Sequence, residues 1–266
     1  MDNIFTDLGL LIDWLNFMAT SKKRYVYRGY NLERELYPKI IRDTDFSTKE
    51  YELLMRFEQH ARSYGNITNE TDFMLCAQHY GLPTRLLDFT FNPFTALFFA
   101  LFEPKDAVEK YAITGDEKTY YSLRYADINN VTLTTQLGYA PSIAQLSGEA
   151  PITFSLLAMQ SVKKYEEFAE AQGINKFVML HPHYTDIRIS MQQGLFMVPY
   201  TLDKTKHIQL IENNTVQIKI HKELRGSLLS YLNMLGFNTY RLMPDLASVC
   251  FAVKNDIERE MCGRTV

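Results

Sequence analysis

Apolar residues recur at Ile4, Leu8, Leu11, Ile12, Leu15 and Met18, so residues 1–20 read as an amphipathic helix packed on the remainder, with Trp14 in the same packing. The run Arg24–Gly29 changes to β-formers, with Tyr25 and Tyr27 on one strand face and Val26 and Arg28 on the other. A loop follows at Leu36-Tyr37-Pro38-Lys39. Ser47-Thr48-Lys49-Glu50 has capping-box spacing and predicts a helix to about 65, with Leu53, Leu54 and Phe57 on its apolar stripe. A second helix, Glu70–Tyr80, should end at Gly81, with Pro83 just beyond. Leu86-Leu87 then reads as buried extended chain. Asn92-Pro93 is a helix start, and Phe94–Phe102 is apolar almost all round, so this helix belongs in the core.

Beyond residue 110, Tyr111–Thr114 and Tyr120–Tyr125 predict a hairpin around Gly115-Asp116-Glu117-Lys118. The stretch 129–150, rich in Thr, Gly, Ser and Pro, reads as an irregular lid or site wall. Ser161–Ala171 reads as a charged surface helix and Asn175–Leu180 as a buried strand. Tyr184–Gln193 reads as a helix capped by Thr185 or Asp186 and ended by Gly194, ahead of a strand at Leu195–Pro199. His207–Ile211 and Thr215–His221 form a second hairpin candidate around Asn213-Asn214. Lys222–Leu235 is amphipathic and ends at Gly236. A last helix starts at Pro244-Asp245, with Leu246, Val249, Val253 and Ile257 on its apolar side. Helices and hairpins without regular strand–helix alternation predict an α+β fold: one globular domain, residues 21–266, with a mixed or antiparallel sheet flanked by helices and the 1–20 helix packed on it.

Composition narrows the function classes. The 266 residues are 46% hydrophobic and 13% aromatic, enough for a core without metal or disulfide staples. A net charge of −3 with no long basic block gives no strong nucleic-acid or anionic-membrane signal, although a local patch would escape this test. Phe94–Phe102 is too short to cross a bilayer, and the N-terminus lacks a basic-then-apolar leader. Cys76, Cys250 and Cys262 have no metal-type spacing, which with their odd number predicts free thiols and a cytoplasmic protein. His181-Pro182-His183 lacks a third ligand, so no metal site is expected. No Gly-x-Ser-x-Gly, Walker or dinucleotide glycine run occurs.

The chemistry concentrates in Gln78–Thr90, where His79, Arg85, Asp88 and Thr90 sit on a rigid turn between buried elements. His79 near a helix end reads either as a cap or as an acid/base. Arg85 and Asp88 read either as a structural ion pair or as binding and catalytic groups. Arg28, on a strand face with Val26 and next to Gly29, must meet a buried acid or present its donor fork to a bound anion, with Gly29 letting a ligand approach. Gln192 and Gln193 either bind ligand or satisfy loose helix carbonyls, and Asp245 reads as a helix cap.

Three blocks together resemble the FRG domain family: Tyr27-Arg28-Gly29; Gln78–Thr90 with Asn92-Pro93 and Ala96…Phe99-Ala100; and Arg188…Gln192-Gln193-Gly194-Leu195-Phe196, followed by Leu242–Leu246. The resemblance runs from about Tyr27 to Leu246 and implies bacterial or phage proteins. The same order of Arg strand, hydroxyl and Ala/Phe helix is similar, more distantly, to mono-ADP-ribosyltransferases of the Arg-Ser-Glu kind, whose fold is one form of the expected class. That likeness implies NAD as cofactor, gripped by Arg28 with Gly29 and Arg85. Thr90 and Gln192 would bind at the ribose, and the catalytic group would be Gln193, which orients that ribose, with His79 or Asp88 activating a protein or other acceptor. No Glu-x-Glu falls in the third block; Glu33-Arg34-Glu35 comes early and Glu258-Arg259-Glu260 late. The implied activity is NAD-dependent ADP-ribosyl transfer or NAD cleavage in a toxin or phage-defence effector. The alternatives are a non-catalytic module sensing a nucleotide or phosphate-bearing ligand, and a protein-interaction module in which Gln78–Thr90 braces the fold.

Overall fold

A computed structural model describes residues 3–31, 33–42, 44–61, 63, 70–102, 119–128, 132–134, 178–180, 182 and 187–261. The chain does not begin as one helix. Asp7 accepts the N–H of Leu10 and so fixes the start of α1 (Leu8–Thr20), while Asn3–Phe5 before it is a strand, β1. Next come β2 (Tyr25–Tyr30), a 3-10 turn (Glu33–Leu36) and α2 (Lys39–Arg42). Ser47–Lys49 is a second 3-10 turn, because Asp45 rather than Ser47 supplies the accepting side chain; α3 (Glu50–Ala61) and α4 (Glu70–His79) follow. After α4, Gly81 takes the left-handed conformation, at φ 91°.

β3 (Leu87–Thr90) leads into α5 (Pro93–Leu101), whose cap is Asn92, its carbonyl oxygen accepting the N–H groups of Phe94 and Thr95. Three strands follow, β4 (Tyr120–Asp127), β5 (Thr132–Thr134) and β6 (Val178–Leu180). Then come α6 (Ile187–Gln192), β7 (Gly194–Val198), α7 (Lys204–Asn214) and β8 (Val216–His221). α8 (Arg225–Met234), α9 (Thr239–Leu242) and α10 (Leu246–Met261) close the chain. Asp245 caps α10, accepting from Ser248 N–H at 2.9 Å.

Two further readings need correction. His207–Ile211 is not a strand: Asp203 caps α7 by accepting from Lys206, and His207, Leu210 and Ile211 bury one helical face. Gly194 does not end α6; Gln193 does, at φ 49°, and Gly194 already belongs to β7. A short strand, β5, lies within the stretch read as irregular. The expected strand 111–114 and its turn, the rest of 129–150, the helix 161–171, the caps Thr185 and Asp186, the pair His181/His183, and Cys262 lie outside the described residues.

The strands form one mixed sheet in the order β1-β8-β4-β2-β3-β7-β6-β5, parallel at β1/β8 and β5/β6 and antiparallel elsewhere. This is the α+β arrangement of a mixed sheet flanked by helices. α1, α5 and α8 pack on one side of the centre, burying Leu11, Leu15, Leu97, Leu101, Leu123, Ile218 and Leu232. On the opposite side α7 covers Val26, Leu87, Phe89, Leu195 and Met197. Strand alternation therefore faces Asp88 and Thr90 away from α7. Among the described residues no helix is long and apolar enough to cross a membrane, and Cys76 and Cys250 are free thiols.

Candidate functional site

Among the described residues the ladder between β2 and β3 holds only Tyr27 opposite Thr90, whereas β2 stays in register with β4 from Tyr25 to Tyr30. Where β2 and β3 part, a cleft of about 300 Å³ opens, walled by Tyr27, Arg28 and Gly29 on one strand and Asp88, Phe89 and Thr90 on the other. The start of α5 adds Thr95, Ala96 and Phe99, with Phe102 beyond it, and Arg42, Glu35 and Asn31 close the rim. A smaller cleft, about 170 Å³, adjoins it and shares Arg42, Asp88, Arg188 and Gln192; its own walls include Lys39, Gln78 and His79.

Arg28 spans the parting of the strands. It is 9% exposed, and its Nη1 and Nη2 donate to the main-chain carbonyls of Asp88 (2.6 Å) and Glu35 (2.5 Å). Its Nε has no hydrogen-bond partner among the described residues. Burial is the main reason its pKa is lowered to about 10; Asp88 opposes that shift and Arg42 adds to it. Arg42 is likewise held by carbonyls, donating from Nε to Tyr37 at 3.0 Å and from Nη2 to Tyr37 at 2.9 Å. Arg28 and Arg42 thus line one cleft together with Arg188, and the ion pairs of the described residues engage neither Arg28 nor Arg42. Glu35 adds a carboxylate, which accepts from Asn31 N–H at 2.7 Å. Tyr27, buried with Tyr25 and Tyr125 nearby, has its phenol pushed up to about 12 and stays neutral.

The residues singled out from sequence divide. Arg28, Gly29, Asp88, Thr90 and Gln192 line the larger cleft; Asp88 and Gln192 also line the smaller one, with His79. Asp88 accepts from Gln78 Nε2 at 3.0 Å. Thr90 donates its hydroxyl to the Gln192 carbonyl at 2.6 Å, and the Gln192 amide donates to the Leu242 carbonyl at 2.6 Å, so both fasten the wall they form. Exposed Gln193 is in neither lining. Arg85 lies apart as well: it is 1% exposed and fastened at two points to Glu50 and to the Pro199 carbonyl. Gly29 is required by packing, because a Cβ there would overlap the Ala96 carbonyl oxygen and lie 2.8 Å from Ala100 N.

Sequence reasoning missed Asn31, Arg42, Thr95, Phe99, Phe102 and Arg188 as site residues, and it placed Glu35 too early to matter. For Asn31, Glu35 and Arg42 the one available signal was nearness in sequence to Arg28, because the segment after it folds straight back onto the cleft through the Glu35 carbonyl.

Comparison with curated proteins and with solved structures gives no match. The FRG family model matches residues 23–109, a span that supplies every wall residue of the larger cleft except Arg188 and Gln192 and leaves the third and closing blocks outside. The chain therefore carries an FRG domain over residues 23–109.

Proposed function

We propose that the larger cleft binds NAD and that the domain transfers ADP-ribose from it, or cleaves it, as a toxin or defence effector. The observation that carries this reading is Arg28: a buried guanidinium with two donors spent on carbonyls and its Nε unpartnered beside a cleft. A buried cation without a bonded carboxylate calls for an anion, and a phosphate oxygen matches a guanidinium. Arg42 stands on the same wall, so both would hold the pyrophosphate, while Phe99 and Phe102 offer apolar surface to a flat ring. When bound, NAD supplies a labile bond between nicotinamide and ribose.

The chain itself supplies carboxylates and an entrance. Glu35 and Asp88 line the cleft and would oppose positive charge developing on a bound sugar, in place of the Glu-x-Glu that the third block lacks. Asp88 and His79 line the smaller cleft, and an acceptor entering through it would meet both, either of which would take its proton. A sensing module is the second reading. It is favoured by the third block, whose Gln192 amide is bound to Leu242 and carries no charge.

Wild type, Arg28→Ala and Arg42→Ala are titrated with NAD by calorimetry, while nicotinamide release and transfer of label to lysate components are followed. The enzyme reading expects release by wild type and binding at least about tenfold weaker in each folded variant. Binding without release supports the sensor. Neither binding nor release by wild type overturns the NAD reading and leaves the sensor only with another phosphate-bearing ligand.

A further inference from the structure

Four buried side-chain atoms among the described residues lack a hydrogen-bond partner: Arg28 Nε, Asn31 Oδ1, Thr95 Oγ1 and His207 Nδ1. Buried polar atoms are nearly always paired, and three of these four belong to residues lining the larger cleft. The three differ in kind. Arg28 Nε only donates, Asn31 Oδ1 only accepts, and the Thr95 hydroxyl does either.

The orientation of Asn31 is chemically fixed. Its Nδ2 donates to the Phe102 carbonyl at 2.5 Å, and a flipped amide would set two oxygens against each other there. Its main-chain N–H is already given to Glu35. A dinucleotide's pyrophosphate or a carboxylate would therefore satisfy Arg28 but oppose Asn31 Oδ1, since neither anion has a proton to give. The ligand must bring a donor as well as an anion. Thr95 lies one helical turn before Phe99, on the same face of α5, and Asn31 is bonded to the main chain of Phe102. The unpaired acceptor and hydroxyl thus belong to the wall that presents the aromatic rings. The cleft's volume of about 300 Å³ is at the lower end for ligand sites, which favours one half of a dinucleotide over both.

We infer that this wall recognises a primary carboxamide on an aromatic ring, Asn31 Oδ1 accepting its N–H and the Thr95 hydroxyl donating to its carbonyl. Arg28 Nε is left for the phosphate. The inference rests on the NAD reading above and makes Asn31 and Thr95 its specificity residues.

Calorimetry of NAD, of its analogue with a carboxylate in place of the carboxamide, and of ADP-ribose tests this. Wild type should bind NAD at least about tenfold more tightly than either, because each analogue leaves buried groups unpaired. Thr95→Val, which removes the hydroxyl with little change of shape, and Asn31→Leu should bring the three ligands to within about twofold of one another. Equal binding of all three by wild type overturns the carboxamide assignment and leaves NAD binding standing. Discrimination that survives in both folded variants overturns the assignment to these residues. Binding of none overturns the NAD reading and this inference together.

Discussion

Arg28 reaches out of β2 to donate to the Asp88 carbonyl at 2.6 Å, beside the place where the ladder between their strands stops at Tyr27 and Thr90. The side chain stands in for a missing main-chain bond, so the parting of the sheet is held open and tied at once. The same guanidinium is then the donor that faces the cleft. Arg28→Lys should therefore behave like a loss of the side chain: an ammonium keeps the charge but lacks the planar fork. Each charge-assisted bond lost should cost about 1.5–3 kcal/mol, read by urea unfolding, and NAD binding should weaken about tenfold. Unchanged binding in Arg28→Lys would mean that charge alone suffices and that the fork argument is wrong.

Gly29→Ala separates packing from ligand access. The added methyl meets the Ala96 carbonyl and the Ala100 nitrogen, both main-chain atoms that cannot step aside. Overpacking of this kind costs about 1–3 kcal/mol or more. The expected result is a strongly destabilised protein in the absence of any ligand. A variant of normal stability that fails only in ligand binding would restore the reading of Gly29 as a ligand's point of approach.

Arg85 and Glu50 make a buried pair, with Arg85 Nε donating to Glu50 at 2.7 Å and side chains 1% and 6% exposed. Removing one partner leaves the other charge buried. Glu50→Gln and Arg85→Ala should each lose about 3–5 kcal/mol in urea unfolding. Ligand affinity of the fraction still folded should match wild type, because Arg85 lines neither cleft. A folded Arg85→Ala that had lost NAD would place this side chain back in the site.

These outcomes trace what the sequence made legible. The start of α5 was readable because a cap and a proline at Asn92-Pro93 act over one turn of chain. His207–Ile211 was not, since His-Ile-Gln-Leu-Ile suits both a two-residue and a helical period, and the deciding signal, Asp203, lies four residues upstream. At the site, Arg28, Asp88, Thr90 and Gln192 do converge on one cleft. The partner of Arg85 was beyond reach, because a carboxylate 35 residues away leaves no local spacing to read. Asn31 and Thr95 were hidden differently: each is ordinary in sequence and becomes informative only when its neighbours prove to be spoken for.

Gln193 offers a milder test. It holds φ at 49°, where a side chain costs about 1–2 kcal/mol and glycine costs little. Its N–H donates to the Ser190 carbonyl and its carbonyl accepts from Phe91, so the main chain alone closes this helix end. Gln193→Gly should raise stability by up to about 1 kcal/mol and leave NAD binding and nicotinamide release as they are. Loss of release with binding intact would return Gln193 to the catalytic group.

His207 sets an acid limit on the fold. It is fully buried in α7; its Nε2 lies 2.8 Å from the Leu36 carbonyl, and its pKa is lowered to about 4, by burial first and the nearby Arg28 charge next. The Leu36 carbonyl opposes that shift. An unfolded histidine titrates near 6.5, so between about pH 6.5 and 4 the unfolded chain binds a proton that the native chain does not. This contribution to stability is whole above that window and falls as pH drops through it. From pH 7.5 to 5, wild type should lose roughly 2 kcal/mol more than His207→Gln in urea unfolding. Because the Leu36 carbonyl follows directly on the Glu35 carbonyl that holds Arg28, the Glu33–Leu36 turn should loosen only near pH 4, where the native imidazole itself takes a proton, so NAD affinity of the folded wild type should not depend on His207 between pH 7.5 and 5. Parallel stability profiles for the two proteins would show that His207 is not neutral in the native state.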